Sequence, residues 1–295
     1  MSFNTKGTGV ALITPFTSTG AVDHNALQKL VHHVVSGRVE TLVILGTTGE
    51  SAVLSADEKT AVIHTIKEAN DGRAQLVLGI GGNNTSEVVS QINTLPLNGI
   101  AAILSVAPYY NKPNQEGIYR HFMAVADASP LPVIIYNVPG RTGVNISAAT
   151  TLRLARDCRK IVATKEASGN LDQCMAIIQG KPEGFDLISG DDNLTFPLVV
   201  LGASGVISVS ANPFPAIMSQ MVRLALAGDI DQARDLHYRL YHITNLLFAD
   251  GSPAGVKASL HQLEICQNIL RLPLVPVNPD IEKAIREETG RIVGF

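Results

Sequence analysis

The 295-residue chain lacks several features that mark specialised protein classes. It has no tryptophan, and aromatic residues make up 5% of it. Charged residues make up 17%, where soluble domains usually carry about 25%. A net charge of −3 with 45% hydrophobic residues excludes intrinsic disorder, which combines low hydrophobicity with high net charge. This aliphatic, charge-poor composition predicts either a very large buried core or a surface partly buried against other subunits.

Cysteine, basic runs and long apolar runs are also scarce. The three cysteines, Cys158, Cys174 and Cys266, are far apart and form no CxxC motif, which is typical of reduced core residues in a cytosolic protein. The apolar run Val10–Ile13 is too short for a signal peptide, and no segment approaches the ~18 apolar residues of a membrane span. The pI is near 6.2 and the sequence has no Lys/Arg runs, so it offers no basic patch for binding nucleic acid. We expect a cytoplasmic protein without membrane or nucleic-acid partners.

Short apolar runs recur along the chain at even spacing. Each is continuous rather than alternating, which is typical of strands covered on both faces. The eight predicted strands are Gly9–Pro15, Thr41–Leu45, Gln75–Gly79, Ile100–Val106, Val133–Asn137, Ile161–Lys165, Phe185–Gly190 and Gly205–Val209. Helical periodicity lies between them, with predicted helix starts at Asp23, Ser55, Ser86, Asn114, Ser147 and Asn170.

Eight β-α alternations within roughly 225 residues predict an α/β fold, a (β/α)8 TIM barrel, over residues 1–227. The strand signal then stops, and residues 228–295 are predicted to form a C-terminal helical extension. That extension is expected to contain helices over Ala233–Phe248 and Ala254–Leu270 and one final helix. A doubly wound parallel sheet is the alternative architecture.

Lys165 is the most informative candidate for chemistry. Active sites of such barrels lie at the C-terminal ends of the strands, and Lys165 ends the sixth apolar run. Burial lowers the pKa of a lysine, and a neutral amine forms Schiff bases with carbonyl substrates. The alternative is a structural salt bridge between Lys165 and Glu166 or another carboxylate. The residues alone leave both interpretations open.

Two loops could bind carboxylate groups. Gly46-Thr47-Thr48-Gly49 offers hydroxyls and consecutive backbone N–H groups at a strand end, although a plain βα turn would have the same appearance. The planar guanidinium of Arg141, in the loop after the fifth strand, could clamp a second carboxylate. Its alternative role is that of a solvated loop charge.

Three of the six tyrosines, Tyr109, Tyr110 and Tyr136, lie at predicted strand ends. Their hydroxyls could relay protons during catalysis. The alternative is amphipathic packing at the rim of the barrel.

Motifs for nucleotides and metals are absent from the sequence. Gly79-x-Gly81-x-x-Asn84 lacks the third glycine of the dinucleotide fingerprint, and there is no P-loop. The eight histidines show no HExxH or other ligand spacing, and the adjacent carboxylates Asp191 and Asp192 are weak evidence for a metal. We therefore expect no metal and no nucleotide cofactor.

A set of motifs resembles the dihydrodipicolinate synthase / N-acetylneuraminate lyase family across essentially the whole chain. The motifs are Gly46-Thr47-Thr48-Gly49-Glu50-Ser51 with Glu58, Tyr136-Asn137-Val138-Pro139 and Lys165-Glu166-Ala167. Pro108-Tyr109-Tyr110-Asn111 and Arg141-Thr142-Gly143 are similar to the synthase branch of the family. The lyase branch generally has Ser-Thr at the positions of Thr47 and Thr48 and no arginine at that of Arg141.

The resemblance implies a class I aldol-type condensation of pyruvate with L-aspartate 4-semialdehyde, in lysine and diaminopimelate biosynthesis. It needs no metal or other cofactor, because the substrate pyruvate itself forms the covalent Schiff base. Another pyruvate-dependent aldolase or lyase of the family, acting on a sugar acid or N-acetylneuraminate, is the alternative. A catalytically silent barrel would be expected to lack Lys165 or Tyr136, and both are present.

The resemblance also implies roles for individual residues and for a partner copy. Lys165 would form the Schiff base, and Tyr136 would shuttle protons through Thr47 to Tyr110 of a neighbouring subunit. Thr47 and Thr48 would hold the pyruvate carboxylate, and Arg141 would hold the semialdehyde carboxylate. Gly190 would line the site, and the Ile207 carbonyl would face pyruvate. The shared Tyr110 implies a homo-oligomer, either a dimer or a tetramer built as a dimer of dimers.

The feedback site for lysine, which the family carries, is incomplete here. Ala52, Asn83, Glu87 and Tyr109 match it, but Ala56 and Lys59 stand where lysine-sensitive members often have histidines. A cation at Lys59 would disfavour an incoming lysine, so we expect weak or no inhibition by L-lysine. Ser252-Pro253 replaces the commoner Asn-Pro, which we expect to matter for the C-terminal helices rather than for the chemistry.

Overall fold

The eight apolar runs form one closed parallel barrel in the computed structural model, which describes residues 3–294. Each strand pairs with its neighbours in sequence, and pairing of the first strand with the last closes the ring. The strands are β1 (Gly7–Ala11), β2 (Thr41–Ile44), β3 (Gln75–Gly79), β4 (Ala102–Val106), β5 (Val133–Asn137), β6 (Ile161–Glu166), β7 (Asp186–Ser189) and β8 (Gly205–Ser208). The predicted TIM barrel is confirmed, because a doubly wound sheet would have stayed open.

Twelve α-helices are present within residues 3–294. They are α1 (His24–Ser36), α2 (Ala56–Asn70), α3 (Thr85–Thr94), α4 (Gln115–Ala128), α5 (Pro139–Thr142), α6 (Ala148–Asp157), α7 (Leu171–Gly180), α8 (Thr195–Val200), α9 (Pro215–Ala227), α10 (Ile230–Phe248), α11 (Ala254–Gln262) and α12 (Pro279–Val293). None of the helices in this range combines the length and apolar character that a bilayer-spanning segment requires.

Side-chain caps fix the starts of most helices that follow the strands. Ser55 and Glu58 form a reciprocal capping box at the start of α2, as their spacing predicts. Asp23, Asn114, Ser147 and Asn170 each accept a backbone N–H at a predicted helix start. The predicted start of α3 at Ser86 is wrong by two positions, because the N-cap is Asn84, whose side chain accepts the Ser86 N–H.

Two predicted boundaries differ from the structure for identifiable reasons. The first strand ends at Ala11 rather than Pro15, because the N–H of Ile13 donates to Asn212 Oδ1 (3.2 Å) instead of continuing the ladder. Helix α11 ends at Gln262 rather than Leu270, and the chain turns through Glu264 at φ +57°. Ile265 is therefore buried although it lies beyond the helix, so the apolar pattern continues past the point where α11 ends.

The core has two separate layers because side chains on each strand alternate between the faces of the barrel wall. On β5, Val133 and Ile135 point outward and pack against the helices, while Ile134 and Tyr136 point into the barrel. The inner cluster is small, and the outer one holds most of the aliphatic side chains. Tyr136 thus stands on the inner wall, near the end of its strand.

The C-terminal helices pack beside the barrel and on each other. Helix α10 contacts α9, α11 and α12. The predicted division between residues 227 and 228 falls between α9 and α10. That division into two regions stays a prediction.

The buried imidazole of His121 on α4 predicts acid sensitivity. Its Nδ1 pairs with Thr85 Oγ1 (2.9 Å), its Nε2 has no partner, and burial lowers its pKa to about 4 from the usual 6.5. The unfolded chain therefore binds more protons between those pH values, and stability falls as the pH drops from about 6.5 to 4. Denaturant unfolding at pH 7 and pH 5 should show that the wild type loses about 2 kcal/mol more than His121→Asn, which keeps a polar atom for Thr85.

His64 provides the control for this comparison, because its side chain is 73% exposed. His64→Asn should leave the pH dependence of unfolding close to that of the wild type. Equal loss of stability in the wild type and in His121→Asn would contradict the prediction.

Candidate active site

A cavity of about 940 Å³ opens at the C-terminal ends of the barrel strands. This is the end at which barrels of this type carry their chemistry. Six predicted site residues line the cavity together: Lys165, Tyr136, Thr47, Thr48, Arg141 and Gly190. The cavity continues outward past residues predicted for the effector site, namely Ala52, Lys59, Asn83, Glu87 and Tyr109. The strand ends thus bring residues from separate loops to one chamber.

Lys165 and Tyr136 are neighbours on adjacent strands. The register of β5 and β6 places them opposite each other, and the Lys165 Nζ lies 4.3 Å from the centre of the Tyr136 ring. Lys165 is only 4% exposed, and burial lowers its pKa to about 8, helped by Arg141 and opposed by Asp192. Burial also raises the pKa of Tyr136 to about 12. Near neutral pH the site therefore holds a protonated phenol beside an amine of which roughly a tenth is neutral, far more than for an exposed lysine.

Glu166 faces away from Lys165, on the outer side of the barrel wall. Its buried carboxylate accepts hydrogen bonds from Asn137 Nδ2 (3.0 Å to each oxygen), Gln173 Nε2 (3.0 Å) and the Ser168 N–H (2.9 Å). These contacts tie β5 to β6 behind the two inward side chains. Lys165 and Glu166 therefore form no salt bridge, and that alternative is wrong.

Gly190, at the end of β7, leaves room for the Lys165 side chain. A Cβ atom at this position would lie 2.8 Å from the Cβ of Ala167 and 3.0 Å from the Cε of Lys165. Both distances are below ordinary van der Waals contact. A larger residue would therefore displace the amine, so the glycine contributes space rather than a functional group.

Asp192 has a role in the site that the sequence does not indicate, because two adjacent carboxylates are only weak evidence for a metal. Its Oδ2 accepts hydrogen bonds from the N–H groups of Val209 and Ser210 (both 3.0 Å) and from Ser210 Oγ (3.1 Å). Its Oδ1 is buried without a partner, and the residue lines the same cavity as Lys165. Asp192 thus fixes a negative charge near the amine. Across residues 3–294, no group of three or more His, Cys, Asp and Glu side chains is placed to hold a metal ion.

The two candidate carboxylate sites lie on different loops of the cavity. Thr47–Gly49 forms a 3-10 turn after β2, held from below by the Thr14 hydroxyl, which donates to the Gly49 carbonyl (2.7 Å). Thr48 is buried and Thr47 is exposed toward the mouth. Arg141, on α5, is exposed at the rim and donates from Nη2 to the Ser252 carbonyl (3.3 Å). The cavity therefore contains a hydroxyl-bearing turn and a guanidinium, as two anionic substrates would require.

The C-terminal region contributes more to the cavity than its sequence indicates. Its lining residues are Thr244, Asn245, Phe248, Ala249, Ser252, Pro273 and Leu274. The backbone carbonyl of Ser252 accepts a hydrogen bond from Arg141, a contact that does not depend on the serine side chain. The expectation that serine in place of asparagine matters for the C-terminal helices rather than for the chemistry stays a prediction. No local signal marks these residues, because they reach the cavity through contacts with loops that are distant in the chain, by 34 positions for Thr244 and Ser210 and by 111 for Ser252 and Arg141.

Two predicted residues lie outside the cavity lining. Tyr110 is 84% exposed, with φ +75°, and projects from the rim. Ile207 is buried in β8, and its side chain packs within the inner core near Gly9. The contribution of Tyr110 to a neighbouring subunit and that of the Ile207 carbonyl to pyruvate binding stay predictions.

Comparison with known proteins places the chain among enzymes that share this architecture. A sequence model of the dihydrodipicolinate synthetase family matches residues 4–290. A 4-hydroxy-tetrahydrodipicolinate synthase from Flavobacterium psychrophilum is 53% identical over 95% of each chain. A dihydrodipicolinate synthase structure from Thermotoga maritima superposes with a TM-score of 0.96 at 34% identity over 99% of each chain.

A further similar structure is the chloride-inhibited dihydrodipicolinate synthase from Acinetobacter baumannii complexed with pyruvate. It has a TM-score of 0.95 at 38% identity over 99% of each chain. Together with the match of the family model across nearly the whole sequence, these relatives leave no large segment of the chain unaccounted for. The chain belongs to the dihydrodipicolinate synthetase family.

Proposed function

We propose that this chain is a 4-hydroxy-tetrahydrodipicolinate synthase, a lyase that condenses pyruvate with L-aspartate 4-semialdehyde for lysine and diaminopimelate biosynthesis. The observation that carries the proposal is the buried amine of Lys165, which lies beside the Tyr136 phenol in a cavity with two candidate carboxylate sites. Relatives that bear this enzyme name and a related structure with bound pyruvate support it. A cytoplasmic location is part of the proposal, because both substrates are small intracellular metabolites.

The reaction would start with Lys165 as the nucleophile. The neutral Nζ attacks the C2 carbonyl of pyruvate, and loss of water leaves an iminium ion. Thr47 and Thr48 would bind the pyruvate carboxylate during this step, with Gly190 leaving space for the adduct and the Ile207 carbonyl facing it. Asp192 would stabilise the permanent positive charge of the iminium, since opposite charges attract strongly in a poorly solvated site.

Carbon–carbon bond formation would follow from the iminium. The hydroxyl chain of Tyr136, Thr47 and Tyr110 of a neighbouring subunit would carry a proton from C3 to solvent. The resulting enamine attacks the aldehyde carbon, and the new alkoxide takes a proton from the Tyr136 hydroxyl, which the same chain replaces. The amino group of the second substrate then adds to C2, displaces the Lys165 amine and closes a six-membered ring. The overall change is the union of the two substrates with loss of one water, so no resident metal or cofactor is needed. Arg141 would hold the carboxylate of the semialdehyde throughout.

Trapping of the covalent intermediate tests the proposed chemistry directly. Incubation with pyruvate followed by borohydride reduction should attach the reduced pyruvate to the peptide that contains Lys165. The other fully buried lysine, Lys257, is an internal control that should stay unmodified. Lys165→Met should abolish the adduct, and an adduct elsewhere with none on Lys165 would contradict the mechanism.

The choice of aldehyde distinguishes the synthase from related aldolases. Pyruvate consumption should require L-aspartate 4-semialdehyde, and Arg141→Leu should raise KM for that aldehyde by roughly a hundredfold, the loss expected when a charged hydrogen-bond partner is removed. Preference for a sugar aldehyde or N-acetylmannosamine would favour the alternative function in sugar-acid or sialic-acid metabolism.

The pH profile should report the ionisation of Lys165. Because the pKa of its amine is lowered to about 8, kcat/KM for pyruvate should rise with pH and level off above that value. Asp192→Asn keeps an acceptor for the Val209 and Ser210 N–H groups but removes the charge that raises the Lys165 pKa, so the midpoint should move to lower pH. An unchanged or higher midpoint in Asp192→Asn would contradict the assigned electrostatics.

The exposed Tyr110 supports a homo-oligomeric enzyme in which one subunit completes the site of another, as a dimer or as a tetramer of two dimers. Lys165→Met and Tyr110→Phe should each be nearly inactive alone. When the two variants are mixed, dissociated and reassembled, about half of the dimers should contain one subunit of each kind. Each such dimer has one complete site out of two, so the mixture should regain about a quarter of wild-type activity. Tyr238→Phe, also exposed, serves as the control. A fully active monomer in sedimentation would refute the shared site.

A further inference from the structure

Glu50 occupies a strained position between the two 3-10 turns that follow β2. It ends the turn Thr47–Gly49 and precedes the turn Ser51–Val53, with φ +52°. Non-glycine residues adopt this left-handed conformation at a cost and keep it when surrounding contacts impose it. The Glu50 N–H donates to the Thr47 carbonyl (3.1 Å), so the backbone of Glu50 is coupled directly to a predicted substrate-binding residue.

The side chain of Glu50 is anchored by the C-terminal region. Its Oε1 accepts a hydrogen bond from Lys257 Nζ (2.5 Å), and its Oε2 accepts one from the Arg271 N–H (3.2 Å). Glu50 and Lys257 are 207 positions apart, and both side chains are fully buried. Lys257 lies on α11, and its Nζ also donates to the Ile269 carbonyl (2.8 Å).

The surroundings of this pair compensate the charge of the ammonium group. Phe16, in the loop after β1, presents its ring to Lys257 Nζ at 4.1 Å from the ring centre. Burial lowers the pKa of Lys257, whereas Glu50 raises it. Glu50 and Lys257 thus form a buried ion pair whose donors and acceptors all have partners, as a buried ion pair requires.

A second tether runs parallel to the first. Arg271 donates to the Val53 carbonyl (3.0 Å) and to both carboxylate oxygens of Glu58 (2.8 Å and 2.5 Å). These contacts fix the far end of the 3-10 segment and the start of α2. The Glu50–Lys257 pair, in contrast, acts at the point that adjoins Thr47 and Thr48.

We propose that Glu50 and Lys257 are positioning residues, and that their buried ion pair lets the C-terminal region hold the Thr47–Thr48 turn in the shape that binds the pyruvate carboxylate. This inference rests on the proposed function, because it assigns the turn to pyruvate. Neither residue touches the reacting atoms. Loss of the pair should therefore weaken pyruvate binding more than it slows the chemical steps.

A double variant removes the pair without leaving an isolated buried charge. Single substitutions leave one charge unpaired and can prevent folding, whereas uncharged replacement of both partners is often neutral for stability. Glu50→Gln with Lys257→Met keeps similar side-chain volumes and an acceptor for the Arg271 N–H. Its folding is checked by circular dichroism and by its thermal midpoint before kinetics are measured.

In the folded double variant, KM for pyruvate should rise about tenfold or more while kcat falls less than about threefold, the pattern expected when ground-state binding is lost. Borohydride trapping on Lys165 should likewise need more pyruvate but reach the wild-type extent at saturation. Wild-type KM with wild-type trapping would overturn the proposal and leave the pair a structural feature only. An equal fall of kcat and kcat/KM would overturn it as well.

The opposite end of the same strand provides a matched control. Glu40, just before β2, pairs with Arg223 on α9 (3.3 Å) and accepts a hydrogen bond from the Thr8 N–H (2.6 Å). Glu40→Gln with Arg223→Met removes this ion pair at the bottom of the barrel and should leave KM for pyruvate unchanged. If the wild type itself fails to trap pyruvate, the proposed function has failed, which is a result distinct from a change confined to the Glu50–Lys257 variant.

Discussion

The central constraint on this molecule is the burial of one amine at the mouth of a barrel that is proposed to admit two anionic substrates. Lys165 loses its hydration at the end of β6, which favours the neutral amine, the form that can attack a carbonyl carbon. In the proposed reaction the amine would become a permanently charged iminium, which the same burial would disfavour. Asp192, held by backbone N–H groups rather than by a cation, supplies a negative charge nearby without quenching the lysine in an ion pair.

Both proposed carboxylate sites depend on the region that follows the barrel. The Ser252 carbonyl, just before α11, holds Arg141, and Lys257 on α11 holds Glu50 beside the Thr47–Thr48 turn. One nine-residue helix and its preceding turn therefore contact the supports of both sites. The C-terminal helices thus support both proposed carboxylate sites, although the proposed binding groups themselves come from the βα loops.

The sequence predicts most of the barrel because its strands are short, continuous and apolar, and because caps such as Ser55 and Asn114 mark the helices locally. It also identifies Lys165, since a lysine that ends an apolar run is conspicuous. The roles of Asp192, Ser252 and Lys257 have no such local signal, because each depends on a partner brought close only by closure of the barrel or by packing of α11. The same limit explains the overlong prediction for α11, whose apolar periodicity continues after the backbone has turned.

The scarcity of charge in this chain makes the Glu50–Lys257 pair informative. With 17% charged residues, most burial is aliphatic, in the two layers on either side of the strands. A buried ion pair contributes little net stability, because desolvation of both charges offsets their attraction, and an apolar pair of similar volume would serve a purely structural purpose at least as well. Directional contacts are what an ion pair adds. Here they converge on a left-handed backbone position next to Thr47, so geometry at the substrate turn, rather than stability, accounts best for two charges in the interior.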